Sequence, residues 1–260
     1  MLKPKIYQLK KLIGAMKYKI HPIPVGVRIL PKCAMTYYFD CDKTMYLPVF
    51  TWYLEGGNKK ILVDTGTMDP FKTKEVEKNL GKTYTFLEAL EKYNLKPEDI
   101  DIIIHTHLHN DHCENDFYCT NATIYVQKKE YEFMLNPHPV DFRYDKELLE
   151  DAIEENRVVL LDGDTEIVDG IYVMLTPGHT VGGQSVVVET AKGKAIITGF
   201  CCIMENFYPP PKVSRFMEVI PTGIVLDTIE SYNSVLKVKE EADIILPSHE
   251  PSLINQETIG

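Results

Sequence analysis

The sequence has no apolar run long enough to cross a bilayer, which excludes a helical membrane protein. It is short of positive charge. Lys and Arg total 28 against 38 Asp and Glu, a net charge of −10 at neutral pH. That deficit argues against a nucleic-acid surface, which needs basic patches. The cationic residues that do cluster, Lys3, Lys5, Lys10, Lys11, Lys17 and Lys19, read as a solvated face. The same head of the chain lacks the small apolar run and cleavage pattern of a secretory signal. Without one, Cys33, Cys41, Cys113, Cys119, Cys201 and Cys202 are expected as reduced thiols, and the protein as cytoplasmic. No linker or low-complexity segment interrupts the 260 residues, so one domain is expected over 1–260, with a less defined N-terminal segment 1–24.

What is present reads as alternating strands and helices. Strands are expected at 25–30, 48–54, 60–66, 102–104, 123–126, 158–161, 171–175, 185–189, 194–198 and 243–246. Glu55-Gly56-Gly57-Asn58 is a hairpin turn. Helices are expected over 69–80, 83–93, 128–135, 146–156 and most of 223–239. In the second of these Phe86, Leu87, Leu90 and Tyr93 share one face. Residues 136–144 read as a surface insertion, and the pattern falls into two similar halves about Asn156.

One stretch concentrates the chemistry. Ile102-Ile103-Ile104 runs into His105-Thr106-His107-Leu108-His109-Asn110-Asp111-His112. A buried strand that ends in histidines and an aspartate sets nitrogen and oxygen donors at a loop mouth, the ligands a borderline cation such as Zn²⁺ prefers. Residues two apart in extended chain point the same way, so His107, His109 and Asp111 share a side, and the following turn brings round His112. Spacing this tight fits two ions better than one.

Other strand ends add to it. In Thr176-Pro177-Gly178-His179-Thr180-Val181-Gly182-Gly183 the Pro and Gly force a turn that thrusts out His179, and the later glycines allow close backbone approach. Pro247-Ser248-His249 follows the last strand. Five of the eight histidines, His107, His109, His112, His179 and His249, therefore fall at the strand ends suited to a metal site, and His179 and His249 are read as ligands. Asp64, after the 60–66 strand, is expected to accept the second ring N–H of a ligating histidine rather than bind metal itself.

Leu62-Val63-Asp64-Thr65-Gly66, His107-x-His109-x-Asp111-His112, Pro177-Gly178-His179-Thr180 and Pro247-Ser248-His249 resemble, in order and spacing, the motifs of the metallo-β-lactamase superfamily. Leu47-Pro48-Val49, Pro97-Glu98-Asp99-Ile100, the 180–185 segment and Glu205-Asn206-Phe207 are most similar to its N-acyl-homoserine lactone lactonase branch. The resemblance implies an α+β fold, the four-layer αββα sandwich, with the site at the strand ends. It implies His107, His109 and His179 on one divalent ion and Asp111, His112 and His249 on another, zinc first, with iron or manganese as alternatives. The family's bridging Asp is replaced by Phe200, followed by Cys201 and Cys202. Phenylalanine binds no metal, so either Cys201 or Cys202 substitutes as a thiolate ligand, or no protein group bridges the ions. The lactonases also carry a Tyr that polarises the substrate carbonyl. Its place here falls near Ile203, and Tyr208 is the nearest phenol.

The expected activity is hydrolysis of a lactone or ester by a metal-activated water, with Asp111 also steering its proton. Phe39, Trp52, Phe142, Phe200, Phe207 and Tyr208 are candidates for an apolar substrate wall. Phosphoester or thioester hydrolysis is the alternative on the same site. A metal or redox sensor, or a diiron oxidoreductase using Cys201 and Cys202, is the alternative of another class. The expected partner is a small-molecule substrate, with no nucleic acid and no membrane, and with a homodimer as the assembly considered.

Overall fold

A computed structural model describes residues 16–260. Lys3, Lys5, Lys10 and Lys11, and residues 1–15 of the segment 1–24, lie outside the described residues. The first strand, β1 (Lys19–Pro31), begins well before position 25, and Ile20 and Ile23 are fully buried in it. Residues 19–24 therefore belong to the fold.

Strands β1, β2 (Thr44–Glu55), β3 (Ile61–Val63), β4 (Ile102–Ile104), β5 (Thr123–Gln127) and β6 (Val158–Leu161) form one sheet in chain order. β1 to β3 are antiparallel, and β3 to β6 are parallel. The second sheet runs β11 (Ile244–Leu246), β10 (Gly193–Ile197), β9 (Gln184–Thr190), β8 (Ile171–Leu175), β7 (Thr165–Val168). β7 is an edge strand that its half-exposed residues did not announce. It moves the boundary between halves from Asn156 to 162–164, because β6 still belongs to the first sheet.

Side-chain alternation builds four layers. Ile102 and Ile104 of β4 point inward with Phe50, Trp52 and Val63, and meet Val186, Val188, Ala195, Ile197 and Leu246 of the other sheet. Ile103, with Leu62, Ile124 and Val126, points outward against Phe86, Ala89, Leu90 and Met134 of the covering helices. On the far side Ile196 and Ile245 pack against Val235 and Val238 of the helix Thr228–Glu241. This is the expected αββα sandwich. β4 is covered on both faces, which is why it reads as an unbroken isoleucine run rather than an alternation.

The helices are shorter than periodicity suggests, because capping residues fix their starts. The 69–80 helix is confined to Lys74–Asn79: Asp69 accepts from the Phe71 N–H, Phe71 sits at φ +52°, and Thr73 caps the first turn. The 83–93 helix reduces to Phe86–Glu91 behind a Thr85/Glu88 capping box, and Leu87 is exposed, not on the buried face. Residues 146–156 divide into a 3₁₀ turn, Lys146–Leu149, and a helix, Glu150–Glu154. Asp227 caps the last helix, so 223–227 is loop.

Ile103→Ala removes a fully buried side chain from the centre of the first sheet. It is expected to cost about 2–5 kcal/mol, read as a lowered urea midpoint at unchanged m-value. A loss below about 0.5 kcal/mol would show that β4 is not packed on its helix side.

Candidate metal centre

The strand ends converge as the sequence suggested. His107, His109 and His179 each bring one ligand atom into a group whose members lie within 4.8 Å of one another, and Asp111, His112 and His249 form a second such group. The groups adjoin, since the His107 and His112 rings are 4.0 Å apart between centroids. β4 delivers the 105–112 stretch, β8 the loop with His179, and β11 the turn with His249.

Each ligating imidazole is tied at one nitrogen only. His179 donates from Nδ1 to the Ile224 carbonyl at 2.6 Å, and His249 from Nδ1 to the Pro48 carbonyl at 2.9 Å. His112 donates from Nδ1 to Asp64 Oδ2 at 2.7 Å, and His109 from Nε2 to Asp141 Oδ2 at 3.1 Å. Thr106 gives its hydroxyl proton to Asp64 Oδ2 at 2.7 Å, so its oxygen accepts from His107 Nδ1 at 3.0 Å. The second nitrogen of each ring is left for another electrophile. His107 Nε2 and His179 Nε2 are buried with no hydrogen-bond partner in the protein. Buried polar atoms are rarely left so, and outer-shell partners of this kind are what a metal-ligating histidine requires. The residues present therefore fit a pair of divalent ions.

The protonation states agree. Burial pushes His107 and His179 well below the imidazole range, and the charges of neighbouring rings add to it. Burial also brings His249 down to about 4. These rings are neutral and free to donate an electron pair. Burial would protonate Asp111, but His112, Arg28 and His249 outweigh it and hold the carboxyl below its ordinary range.

Asp64 stands outside both donor groups and accepts from three groups. Besides the His112 and Thr106 side chains it accepts from the Thr106 N–H at 2.8 Å. It is buried at φ +54°, and despite burial the charges and hydrogen bonds of His112 and His105 hold it at about 2. His105 turns away from the donor groups. Its Nε2 donates to Asp116 Oδ2 at 2.7 Å, and Asp116 with Asp64 overcomes burial to raise it to about 10.

Close backbone approaches explain the glycines after His179. A Cβ on Gly182 would lie 2.3 Å from the Glu130 nitrogen. There the buried Glu130 accepts from the N–H of Gly182 and of Leu108, each at 3.0 Å, and from the Tyr144 hydroxyl at 2.7 Å.

The family model of the metallo-beta-lactamase superfamily matches residues 45–249. The chain belongs to that superfamily. The N-acyl homoserine lactonase of Bacillus thuringiensis is 27% identical over 245 residues, 89% of this chain and 93% of that protein. A probable metallo-hydrolase of Methanocaldococcus jannaschii is 28% identical over 190 residues, 73% of this chain and 70% of that protein. A solved N-acyl homoserine lactone hydrolase, with the product N-hexanoyl-L-homoserine at its catalytic metal centre, superposes with a TM-score of 0.73 at 27% identity, covering 94% of this chain and 100% of that one. The resemblance to hydrolases of the lactonase branch thus holds over nearly the whole length.

Several sequence-based assignments need correction. Phe200 and Phe207 are not substrate-wall residues: both are buried in the cluster under the last helix. Cys202 lies in that cluster too, 3.1 Å from the Thr198 hydroxyl, where burial pushes its thiol up to about 12, and it belongs to neither group of close donors. Successive residues past a strand end face opposite ways, and Cys201 packs with Met35, Leu47 and Ile203 and reaches the cavity wall. Cys201 belongs to neither group of close donors. Trp52 is buried between the sheets, and Tyr208 is 60% exposed beneath Lys239. Phe39 is absent from the cavity lining, and only Phe142 of the proposed wall contributes to it. The cavity, about 420 Å³, is lined otherwise by Arg28, Leu30, Met35, Leu47, Arg143 and Ile224 beside the donors. Asp141, Arg143 and Tyr144 come from the supposed surface insertion. Nothing in the sequence marks Asp141 as the partner of His109, because that pairing exists only once 136–144 folds back onto the donors.

Asp64→Ala would leave His105 charged and His112 unoriented. It is expected to lower zinc affinity about 10–100-fold and to destabilise the metal-free protein by about 3–5 kcal/mol. Dye-competition titration and urea melts measure the two, and wild-type zinc affinity would contradict the role given to Asp64.

Proposed function

We propose that the protein is a metal-dependent hydrolase that opens lactone or ester carbonyls. The observation that carries this reading is the orphaned, buried Nε2 of His107 and of His179 beside three further histidines, each anchored through one nitrogen only. His107, His109 and His179 hold one divalent ion and Asp111, His112 and His249 the other, with zinc favoured by the imidazole-rich set. When bound, such a pair supplies a water acidic enough to ionise near pH 7 and a Lewis acid for the carbonyl oxygen.

The chain's own residues do the rest. Asp111, ionised and fixed by Arg28 Nε at 3.2 Å, is placed to accept the water's proton at a carboxylate oxygen. Asp64, Asp141, Thr106 and the carbonyls of Pro48 and Ile224 hold the imidazoles in the tautomer that points a lone pair inward. Leu30, Met35, Leu47, Phe142 and Ile224 give the substrate chain an apolar bed and exclude water from it. The lactonase relatives favour the lactone carbonyl over phosphoesters and thioesters. A redox role would need Cys201 and Cys202 together beside the ions, and the two thiols sit in different clusters.

In a panel of lactones, thioesters and phosphotriesters with zinc-loaded protein, lactones are expected to turn over fastest. His107→Ala and His179→Ala are each expected to lower kcat/KM on the order of 100-fold or more and to reduce bound zinc, measured by elemental analysis. Full hydrolytic activity in either variant would remove the claim.

A further inference from the structure

Two guanidinium groups stand in the cavity wall, one beside each donor group. Arg28 donates from Nε to Asp111 Oδ2 at 3.2 Å, and Arg143 from Nε to Asp141 Oδ1 at 2.6 Å. Both side chains are part-exposed, 35% and 24%, and both line the cavity. Each is anchored through Nε alone, so the terminal amino groups have no hydrogen-bond partner among the described residues.

Charge accounting sharpens the point. Asp111 is the single carboxylate among the six candidate donors. Arg28 and Arg143 each balance one carboxylate, Asp111 and Asp141, and so add no net charge to the wall, but each still turns unpaired N–H groups to a cavity that two divalent ions would make cationic. A neutral lactone has no second group to pair with those N–H edges. An anion does, and a guanidinium edge matches a carboxylate in geometry as well as in charge.

We propose that Arg28 and Arg143 form a carboxylate receptor at the cavity wall, so that the preferred substrate is an ester or lactone carrying a carboxylate beyond the scissile bond. The apolar residues Leu30, Met35, Leu47 and Phe142 then bed the carbon chain between the two polar ends. This rests on the hydrolase reading for the reaction, but not for the binding.

The test compares mono-4-nitrophenyl esters of succinate, glutarate and adipate with the neutral butyrate, valerate and hexanoate esters on zinc-loaded protein. At least one acidic ester is expected to exceed its neutral counterpart about tenfold in kcat/KM, chiefly through KM. In Arg143→Gln and Arg28→Gln that ratio is expected to fall toward one, and Arg143→Lys to restore it in part. If Arg143 merely positions His109 through Asp141, both esters lose kcat alike and the ratio survives, which overturns the proposal. A wild-type ratio near one overturns it as well. Should no ester be hydrolysed, the hydrolase reading fails and calorimetric titration decides the receptor separately. Glutarate binding more tightly than neutral glutaramide, with the difference lost in Arg143→Gln, upholds it, and equal binding refutes it.

Discussion

The carboxylate of Asp64 is the joint on which the site turns. It is buried, and a buried carboxylate is costly unless every lone pair has a partner. It meets that condition by drawing in the Thr106 N–H, the Thr106 hydroxyl and the His112 ring, with His105 alongside. Satisfying one charge thus fixes the start of the histidine stretch, the tautomer of His112, and, through the Thr106 hydroxyl, that of His107. The left-handed backbone at Asp64 turns the carboxylate off the end of β3 and toward the neighbouring β4. His105, charged between Asp116 and Asp64, closes the same network from below and spends a histidine on cohesion rather than on metal.

The sandwich supplies what Asp64 cannot. The stretch that follows β4 contributes four of the six grouped donors, His107, His109, Asp111 and His112, to a rim that the second sheet reaches from the other side through His179 and His249. Glu130 locks the two halves together, because its carboxylate receives N–H groups from Leu108 and from Gly182. Gly182 must be glycine for that approach, and Gly178 at φ +120° must be one for the turn that exposes His179, since its Cβ would meet the Ser231 backbone at 2.2 Å. Donors on different sheets are held to within 4.8 Å of one another in each group by buried polar contacts, where apolar packing alone would leave them free to rotate.

Some of this was legible in the residues and some was not. The β4 isoleucines, the donors after them, and the Pro-Gly turn before His179 carry their signals locally: burial on both faces, side-chain alternation and turn chemistry. The fold followed from the order of the motifs, and those signals singled out the six residues that form the two close donor groups. The substrate wall did not follow. Phe200, Phe207 and Trp52 looked suited to a pocket because large aromatics suit pockets and cores equally, and the parity of the chain past β10 sent Phe200 and Cys202 into the core. Helix starts were placed several residues early at 69–80 and 83–93 because periodicity does not register the caps at Thr73 and Thr85.

The amino-acid sequence by itself determined the sandwich, through the family resemblance that its ordered motifs carry, and the choice of candidate donors, because the turn and alternation signals around them are short-range and survive any choice of loop path. Tertiary structure alone decided what surrounds those donors. The pairing of Asp141 with His109, the placing of Arg28 and Arg143 on one cavity, and the parting of Cys201 from Cys202 join residues with no pattern between them. They depend on how far a loop folds back and on which face of a strand end a side chain falls, and those are settled only when the two sheets close on each other.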